Sequence, residues 1–406
     1  MVNVAIMGHG TVGSGVAEIL INNNRHIANG IKSDINVKYI LDLRKFDNLP
    51  YSDKFIDSFD TIIDDNDVNI VVETMGGLKP AYDFVKRCLL ARKSVVTSNK
   101  ELVAEKGAEL IKIATENNVN FLFEASVGGG IPIIRPMFEC LAANKISEVK
   151  GILNGTTNYI LNKMIMENMD FSVALKLAQD KGYAEKDPTA DIEGHDACRK
   201  ICILAAIAFG KHIYPNEVKT EGITGITLDD IEYASNFGYV IKLIGKAKKS
   251  DNGTVSVSVR PTLVEREHLL SNVNGVFNAV SVVGDAVGEV IFYGQGAGKM
   301  ATASAVVADV MDCAKHLRKR KNLSWEDTDS SYVRDTDEKT KLYVLLKTDS
   351  FDSTLKCVKE LFGDIAVIKN DKSGEIAFIT ENELESTLNE KIAKIECKSK
   401  KVLHTL

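Results

Sequence analysis

The segment 182–210, GYAEKDPTADIEGHDACRKICILAAIAFG, gathers the residue types that proton transfer needs. An acid-rich loop with Glu185, Asp187, Asp191 and Glu193 runs into a helical pattern that begins near His195. Asp196 and Lys200 stand four residues apart, so they share one helix face. Ile201 to Phe209 is almost wholly apolar, which plants that end of the helix in a core. A lysine at the mouth of a buried helix, ringed by carboxylates, is held in one place and can donate a proton. The competing reading is a solvated ion pair at a helix start, and most such pairs are of that kind.

The start of the chain carries a second chemistry. Residues 2–7, VNVAIM, read as a short buried strand, followed by Gly8-His9-Gly10-Thr11-Val12-Gly13 and a helix pattern over 12–21. Strand, G-x-G-x-x-G turn and helix in that order form a dinucleotide-binding unit. The first glycine makes the turn, the second lets a pyrophosphate approach the helix N-terminus, and the third lets helix and strand pack closely. A second strand, 36–41, ends in Asp42-Leu43-Arg44-Lys45. An acid there bonds the adenosine ribose, and an arginine beside it can meet a 2′-phosphate; plain surface charge is the alternative for Arg44. Asp42 lies 42 − 13 = 29 residues past Gly13, beyond the usual ~20, so 22–34 reads as a lengthened loop.

These residues need elements to hold them. Apolar strands at 69–74, 94–97 and 119–123 alternate with helices at 79–91 and 101–116, the pattern of a parallel sheet covered on both faces. Ligands of such sheets sit at the carboxyl ends of the strands, where Met75-Gly76-Gly77, Ser98-Asn99-Lys100 and Glu124 fall. Lys100 is therefore a candidate site residue. Ser126-Val127-Gly128-Gly129-Gly130-Ile131-Pro132 precedes a helix expected over 131–143. By composition it reads as a hinge; its carbonyls beside Glu124 could equally hold a hard monovalent cation. A strand over 145–153 leads into Asn154-Gly155-Thr156-Thr157-Asn158, a polar-substrate turn or a helix cap. Helices follow at 157–168 and 171–181. Strands at 238–249 and 254–262 flank Asp251-Asn252-Gly253, a hairpin signal, and more strands come at 276–283 and 287–293. The turn 293–298, with Gly296, introduces a small-residue helix over 301–314 that can return to the nucleotide unit and bring its glycines to the cofactor. A polar linker precedes a tail patterned βαββαβ, a ferredoxin-like unit.

Length, 406 residues, implies two or three domains with ample core. The fold class is α/β: a Rossmann-type nucleotide domain over 1–130, completed by about 298–320, and an α+β catalytic and dimerisation domain over 131–297. A linker over 321–338 and a small ferredoxin-like unit over 339–406 follow. Net charge is −6 with no long basic run except KHLRKRK at 315–321, which argues against nucleic acid as a partner. The longest apolar run is too short for a bilayer. Seven scattered cysteines without Cys-x-x-Cys fit a reduced cytoplasmic compartment.

GHGTVG, SNK at 98–100, EASVGGGIP at 124–132, NGTTNYI at 154–160 and GYAEKDPTADIEGHDACRK at 182–200 together resemble the homoserine dehydrogenase family across residues 1–320. That family reduces aspartate 4-semialdehyde to L-homoserine with NAD(P)H. The resemblance implies that Gly8, Gly10, Thr11, Val12 and Gly13 cradle NADP or NAD, and that Ser98 and Lys100 flank nicotinamide and substrate. It implies substrate contacts at Gly155, Thr156, Glu185, Asp191 and Asp196, with Lys200 as proton donor. Glu124, Val127, Gly129 and Ile131 match a sodium-type site of mostly main-chain oxygens, which displaces the hinge reading. The tail looks like an ACT regulatory domain, although Thr348-Asp349-Ser350-Phe351 replaces the usual Asp-x-Pro-Gly turn. A homodimer or homotetramer is expected. Two other readings compete. An amino-acid sensor without turnover would have lost Glu185, Asp196 or Lys200, and all are present. An acylating dehydrogenase would need a placed cysteine nucleophile, and none stands at a strand end.

Overall fold

The computed structural model describes all residues except 252, 318, 322, 329–331, 335 and 371–372. The first sheet is wholly parallel. Its strands are β1 (Val2–Met7), β2 (Ile35–Leu41), β3 (Phe55–Ile56), β4 (Val68–Glu73), β5 (Ser94–Thr97) and β6 (Phe121–Leu122), in the order β3-β2-β1-β4-β5-β6. Successive side chains of a strand face opposite layers. Val4, Ile6, Ile70 and Val72 pack with Val16 and Leu20 of the helix Thr11–Asn22, and with Val306 and Val310 of the helix Lys299–Lys315. Ala5, Met7, Val71 and Val95 pack on the other face with Val85, Leu102 and Val103. The late helix thus completes one layer of the first sheet, pressed so close that a Cβ on Gly15 would lie 2.9 Å from the Ala303 Cβ.

The second sheet is mixed. It comprises β7 (Ile146–Ile152), β8 (Lys219–Thr220), β9 (Tyr239–Lys249), β10 (Val255–Glu265), β11 (Phe277–Gly284) and β12 (Gly288–Gln295). A small pair, β13 (Lys339–Thr340) with β17 (Glu383–Leu384), sits beside β14 (Leu342–Lys347), β15 (Val367–Asn370), β16 (Glu375–Ile379) and β18 (Ser399–Thr405). The tail strands run antiparallel in the order β18-β14-β16-β15, the pairing of a βαββαβ unit. β18 also pairs in parallel with β10, at Thr262↔His404 and Leu263↔Thr405, so the tail continues the catalytic sheet.

Three expectations change. Residues 22–34 are not an extended loop: Asn24–Ile31 is a helix whose one buried apolar residue, Ile27, docks it. No continuous helix covers 131–143. Pro132 and Pro136 lack the amide donors a helix interior needs, and only a one-turn π-helix forms at Pro136–Cys140. The helix Leu228–Asn236 was not expected, although Thr227 and Asp230 form a reciprocal capping box that the sequence displays. Of the hairpin signal, Asn252 lies outside the described residues; the flanking strands pair from Val255↔Lys249 onward. Residues 318, 322, 329–331 and 335 place parts of the basic cluster and the linker outside as well.

Candidate active site

Three elements converge on one carboxylate. The first turn of the helix His195–Phe209 presents Asp196, buried at 4 % exposure, and one turn on, Lys200. Lys200 Nζ donates to Asp196 Oδ2 at 2.7 Å and to the Leu153 carbonyl at 2.8 Å, just beyond β7. Lys100 opens the helix Lys100–Glu116 at the carboxyl end of β5, and its Nζ lies 2.7 Å from Asp196 Oδ1. The two lysines thus come from two helices and meet on the two oxygens of one side chain. Apolar packing behind them fixes the helix: Ile201, Leu204 and Ala205 are buried, and a Cβ on Gly245 of β9 would lie 3.3 Å from that of Ile201.

The electrostatics follow from burial and pairing. Burial alone would push the Asp196 carboxyl up; the Lys200 and Lys100 ammonium groups outweigh it and hold it well below the usual carboxylate range. Burial pulls Lys200 below its usual value, with Asp196 opposing and Lys100 adding to the drop. Lys100 is raised by Asp196. Asp191 is raised by burial, against a hydrogen bond from Asn154.

Asn154 organises the polar side of the cluster. Its Nδ2 donates to Asp191 Oδ1 at 2.6 Å and to Asp196 Oδ2 at 2.9 Å, while its Oδ1 accepts from Thr157 N at 2.8 Å and caps the helix Gly155–Glu167. The sequence placed Asn154 in a cap or a substrate turn; here one side chain serves the cap and holds both acids. Thr156 Oγ1 donates to the Tyr183 carbonyl at 2.7 Å, which ties this turn to the acid-rich loop. Gly155 admits no side chain, since a Cβ would lie 2.7 Å from the Val276 carbonyl. Glu185 is exposed, and the bond at its position runs from Gln179 to its backbone carbonyl; the structure does not bring its carboxylate into the cluster.

The glycine turn faces the same side of the sheet. Gly8 has φ +93°, and a Cβ on Gly13 would sit 1.9 Å from the Gly8 carbonyl, so both positions require glycine. Gly10 caps the helix Thr11–Asn22, with Thr11, Val12 and Gly13 in its first turn. Asp42 accepts from His9 N at 2.8 Å and from Arg44 Nε and Nη2 at 3.0 and 2.8 Å. The Arg44 guanidinium holds the Asp42 carboxyl well below its usual range. Arg44 is 63 % exposed at its side chain, free to turn outward. Ser98 donates its backbone N–H to the Glu73 carbonyl at 3.4 Å. Glu73, a fully buried acid at the end of an apolar strand, escaped notice. It accepts from Met75 N at 2.8 Å and Thr97 Oγ1 at 2.5 Å, and so shapes two strand-end turns. The acid in NIVVET was the available signal.

Glu124 is buried, and its carboxylate accepts from the backbone N–H groups of Ile133, Ile134 and Arg135 at 2.7 to 2.8 Å. Its N–H donates to Asp309 at 2.8 Å, so the side chain is a structural staple. Gly129 and Gly296 are in close contact: a Cβ on Gly129 would lie 2.3 Å from the Gly296 carbonyl. Among the described residues no cluster of three or more His, Cys, Asp or Glu could hold a metal, and no helix is long and apolar enough to cross a membrane.

A parallel dinucleotide sheet, a glycine turn at its strand ends and a two-lysine carboxylate cluster beside it define a nicotinamide-dependent oxidoreductase. A family model described as the homoserine dehydrogenase NAD-binding domain matches residues 8–124, and one described as homoserine dehydrogenase matches 132–311. The chain is 44 % identical over 321 residues to the homoserine dehydrogenase of Bacillus subtilis, covering 78 % of this chain and 74 % of that one. It is 36 % identical over 412 residues to that of Corynebacterium glutamicum, covering 98 % and 93 %. It is similar to a crystal structure of a homoserine dehydrogenase from Thiobacillus denitrificans, at TM-score 0.89 and 36 % identity over 100 % of this chain and 98 % of that one. A hyperthermophilic archaeal homoserine dehydrogenase in complex with NADPH matches at TM-score 0.66 and 31 % identity, covering 77 % of this chain and 97 % of that one. The chain belongs to the homoserine dehydrogenase family. Its activity is that of an NAD(P)-dependent homoserine dehydrogenase.

Proposed function

We propose that this chain reduces L-aspartate 4-semialdehyde to L-homoserine with Lys200 as proton donor. The observation that carries the reading is the Lys100–Asp196–Lys200 cluster at the strand ends. When bound, the nicotinamide supplies the hydride. Lys200 faces the charge that develops on the carbonyl oxygen, neutralises it and then protonates it. Its lowered pKa makes it the stronger acid of the two lysines. Asp196 orients both ammonium groups, and Lys100 holds the other side of the substrate against the nucleotide domain with Ser98. Asp191, Gly155 and Thr156 receive the amino-acid end of the substrate; Glu185 joins them only if the exposed loop closes.

The cradle at Gly8, Gly10, Thr11, Val12 and Gly13 fits a pyrophosphate, with Gly296 closing from the late helix. Asp42 is already bonded by Arg44 in two places, so a ribose hydroxyl must compete for it, whereas a 2′-phosphate would draw Arg44 outward. Both cofactors therefore serve, with NADPH modestly preferred over NADH. The 124–131 turn fits a hard monovalent cation such as sodium: among the described residues no backbone N–H bonds the carbonyls of Val127, Gly129 or Ile131, and carbonyl oxygens suit such ions. The Glu124 contribution would be its own carbonyl, its carboxylate being occupied. The domain division is 1–130 completed by about 298–320, 131–297 and 339–406. The last unit is an ACT-like domain, and assembly is a homodimer or homotetramer in the cytoplasm, where the seven unpaired cysteines stay reduced. The test is absorbance at the reduced-nicotinamide band with homoserine and each cofactor. Absence of turnover with both would defeat the reading.

A further inference from the structure

The catalytic sheet meets the tail across a cavity of about 420 Å³. Ser256, Ser258, Arg260 and Thr262 alternate along β10 and all line it, while Val257 and Val259 between them are buried, Val257 still touching the cavity. Directly paired residues of neighbouring strands point to the same side. Lys246 of β9 and Lys219 of β8 both pair with Ser258, and His404 of β18 pairs with Thr262. One wall therefore carries two lysines, an arginine and an imidazole.

The facing wall is the 336–340 segment and the helix Glu385–Ala393, and it is acidic in part. Those acids have partners. Asp337 accepts from Ser386 N at 2.8 Å and Oγ at 2.6 Å. Glu338 lies 2.6 Å from Lys248. Glu385 Oε1 lies 3.5 Å from His404 Nε2. Two residues of the basic wall, Lys246 and Arg260, are less well matched. Among the described residues Lys246 reaches Glu148 alone, at 3.5 Å, and that carboxylate is closer to Lys150, at 2.9 Å. Arg260 contacts His404 Nε2 and, among the described residues, forms no ion pair with a carboxylate. Burial, then Arg260, Lys246 and Lys219, press the His404 pKa down to about 3, so the ring is neutral and accepts from the guanidinium. A neutral ring leaves the guanidinium charge uncompensated by its nearest partner.

We propose that this cavity binds a small multivalent oxyanion of the phosphate or dicarboxylate type, seated on Arg260 between β10 and the tail. The guanidinium fork matches two oxygens of such a group, and Lys246 adds positive charge beside it. The ligand would bridge the parallel β10–β18 pair, where the two units share a sheet. It lies at the opposite end of the tail sheet from the 348–352 turn, since β14 pairs Leu342 with His404 and Lys347 with Ser399.

The test uses the full chain saturated with NADP⁺, so that the glycine turn is occupied. Inorganic phosphate and, separately, succinate are titrated calorimetrically at ionic strength held constant with sodium chloride. Saturable binding is expected for at least one, and the tighter of the two names the source. Arg260→Gln should weaken it by about tenfold or more, the scale of a lost charge-assisted hydrogen bond. Bound anion should also raise the His404 pKa, read from its ring proton by NMR. If Arg260→Gln does not fold, Arg260→Lys with the His404 titration decides. Heats that track ionic strength alone, binding unchanged by Arg260→Gln, or a His404 titration unmoved by the anion would each overturn the proposal.

Discussion

Lys200 and Lys100 are the same residue type on the same carboxylate, yet their environments separate them. Lys200 is buried and lowered; Lys100 is part-exposed and raised by Asp196. Below the lowered value Lys200 carries its proton, and reduction can proceed. As pH rises through that value the acid form is lost, so reductive turnover should fall while homoserine oxidation gains a base. Rate profiles in both directions check this. Lys200→Ala should remove the dependence and cut turnover by about 10²–10⁴, with cofactor binding retained. A near-full rate at saturating substrate would reject the assignment. Lys100→Ala should also be severe, since it leaves Asp196 with one ammonium. At the other end of the cofactor, Arg44→Gln should raise the NADPH KM by about tenfold, the scale of a charged hydrogen bond, and leave that for NADH near its starting value. Equal losses with both cofactors would show that Arg44 never meets the 2′-phosphate.

The elements explain what the sequence could and could not reveal. Strand, glycine turn and helix at 2–21 were legible because Gly8 and Gly13 answer local steric demands. The Asp196–Lys200 pair was legible because helical spacing alone puts both on one face. Lys100 meeting Asp196 was not, since residues 96 apart in the chain are brought together only by packing of two domains. The same holds for Asn154 bridging Asp191 and Asp196. The helix expected at 131–143 fails because Pro132 and Pro136 withhold amide donors, a signal the sequence itself carries. Three amides at the start of that irregular segment claim the Glu124 carboxylate, a demand no motif displays, so of this residue only the carbonyl is left for the expected cation. The 124–131 turn and the 293–298 turn interlock, and that contact is testable. Gly129 has φ +57°, and Gly129→Ala would drive a methyl to 2.3 Å from the Gly296 carbonyl. A shift of backbone must follow, at a cost of about 1–3 kcal/mol. The melting temperature should drop, and cofactor affinity should weaken with it. An unchanged melting temperature would mean the two turns are not locked.

Across the whole molecule the tail is joined to the catalytic domain by more than a linker. At its far end the turn Thr348-Asp349-Ser350-Phe351 has no glycine. Thr348 Oγ1 bonds Thr354 Oγ1 at 2.8 Å, and Asp349 pairs with Lys398. An incoming amino-acid carboxylate would meet the carboxylates of Asp349 and of Asp352 in the first helical turn, so threonine at millimolar levels should inhibit weakly or not at all; strong inhibition would refute this. At the near end, β18 adds Lys401, whose ammonium reaches Asp230, fully buried in the capping box of the helix Leu228–Asn236, and the Gly225 carbonyl at 2.9 Å. Tyr233 of the same helix donates to Glu375 of β16 at 2.8 Å. A buried ion pair is weak evidence of net stability, but removing one partner leaves the other charge stranded, at a cost of about 3–5 kcal/mol. Lys401→Met keeps the apolar stem and removes only the charge. It should lower the melting temperature and loosen the tail, with faster amide exchange in β18 and in the helix Leu228–Asn236, while Lys200 and its partners keep their geometry and initial turnover stays near that of the parent. Asp230→Asn in the same background should restore part of the loss by removing the stranded charge. If Lys401→Met melts with the parent and exchanges no faster, the pair is a surface contact and the tail is held by its strand pairing alone.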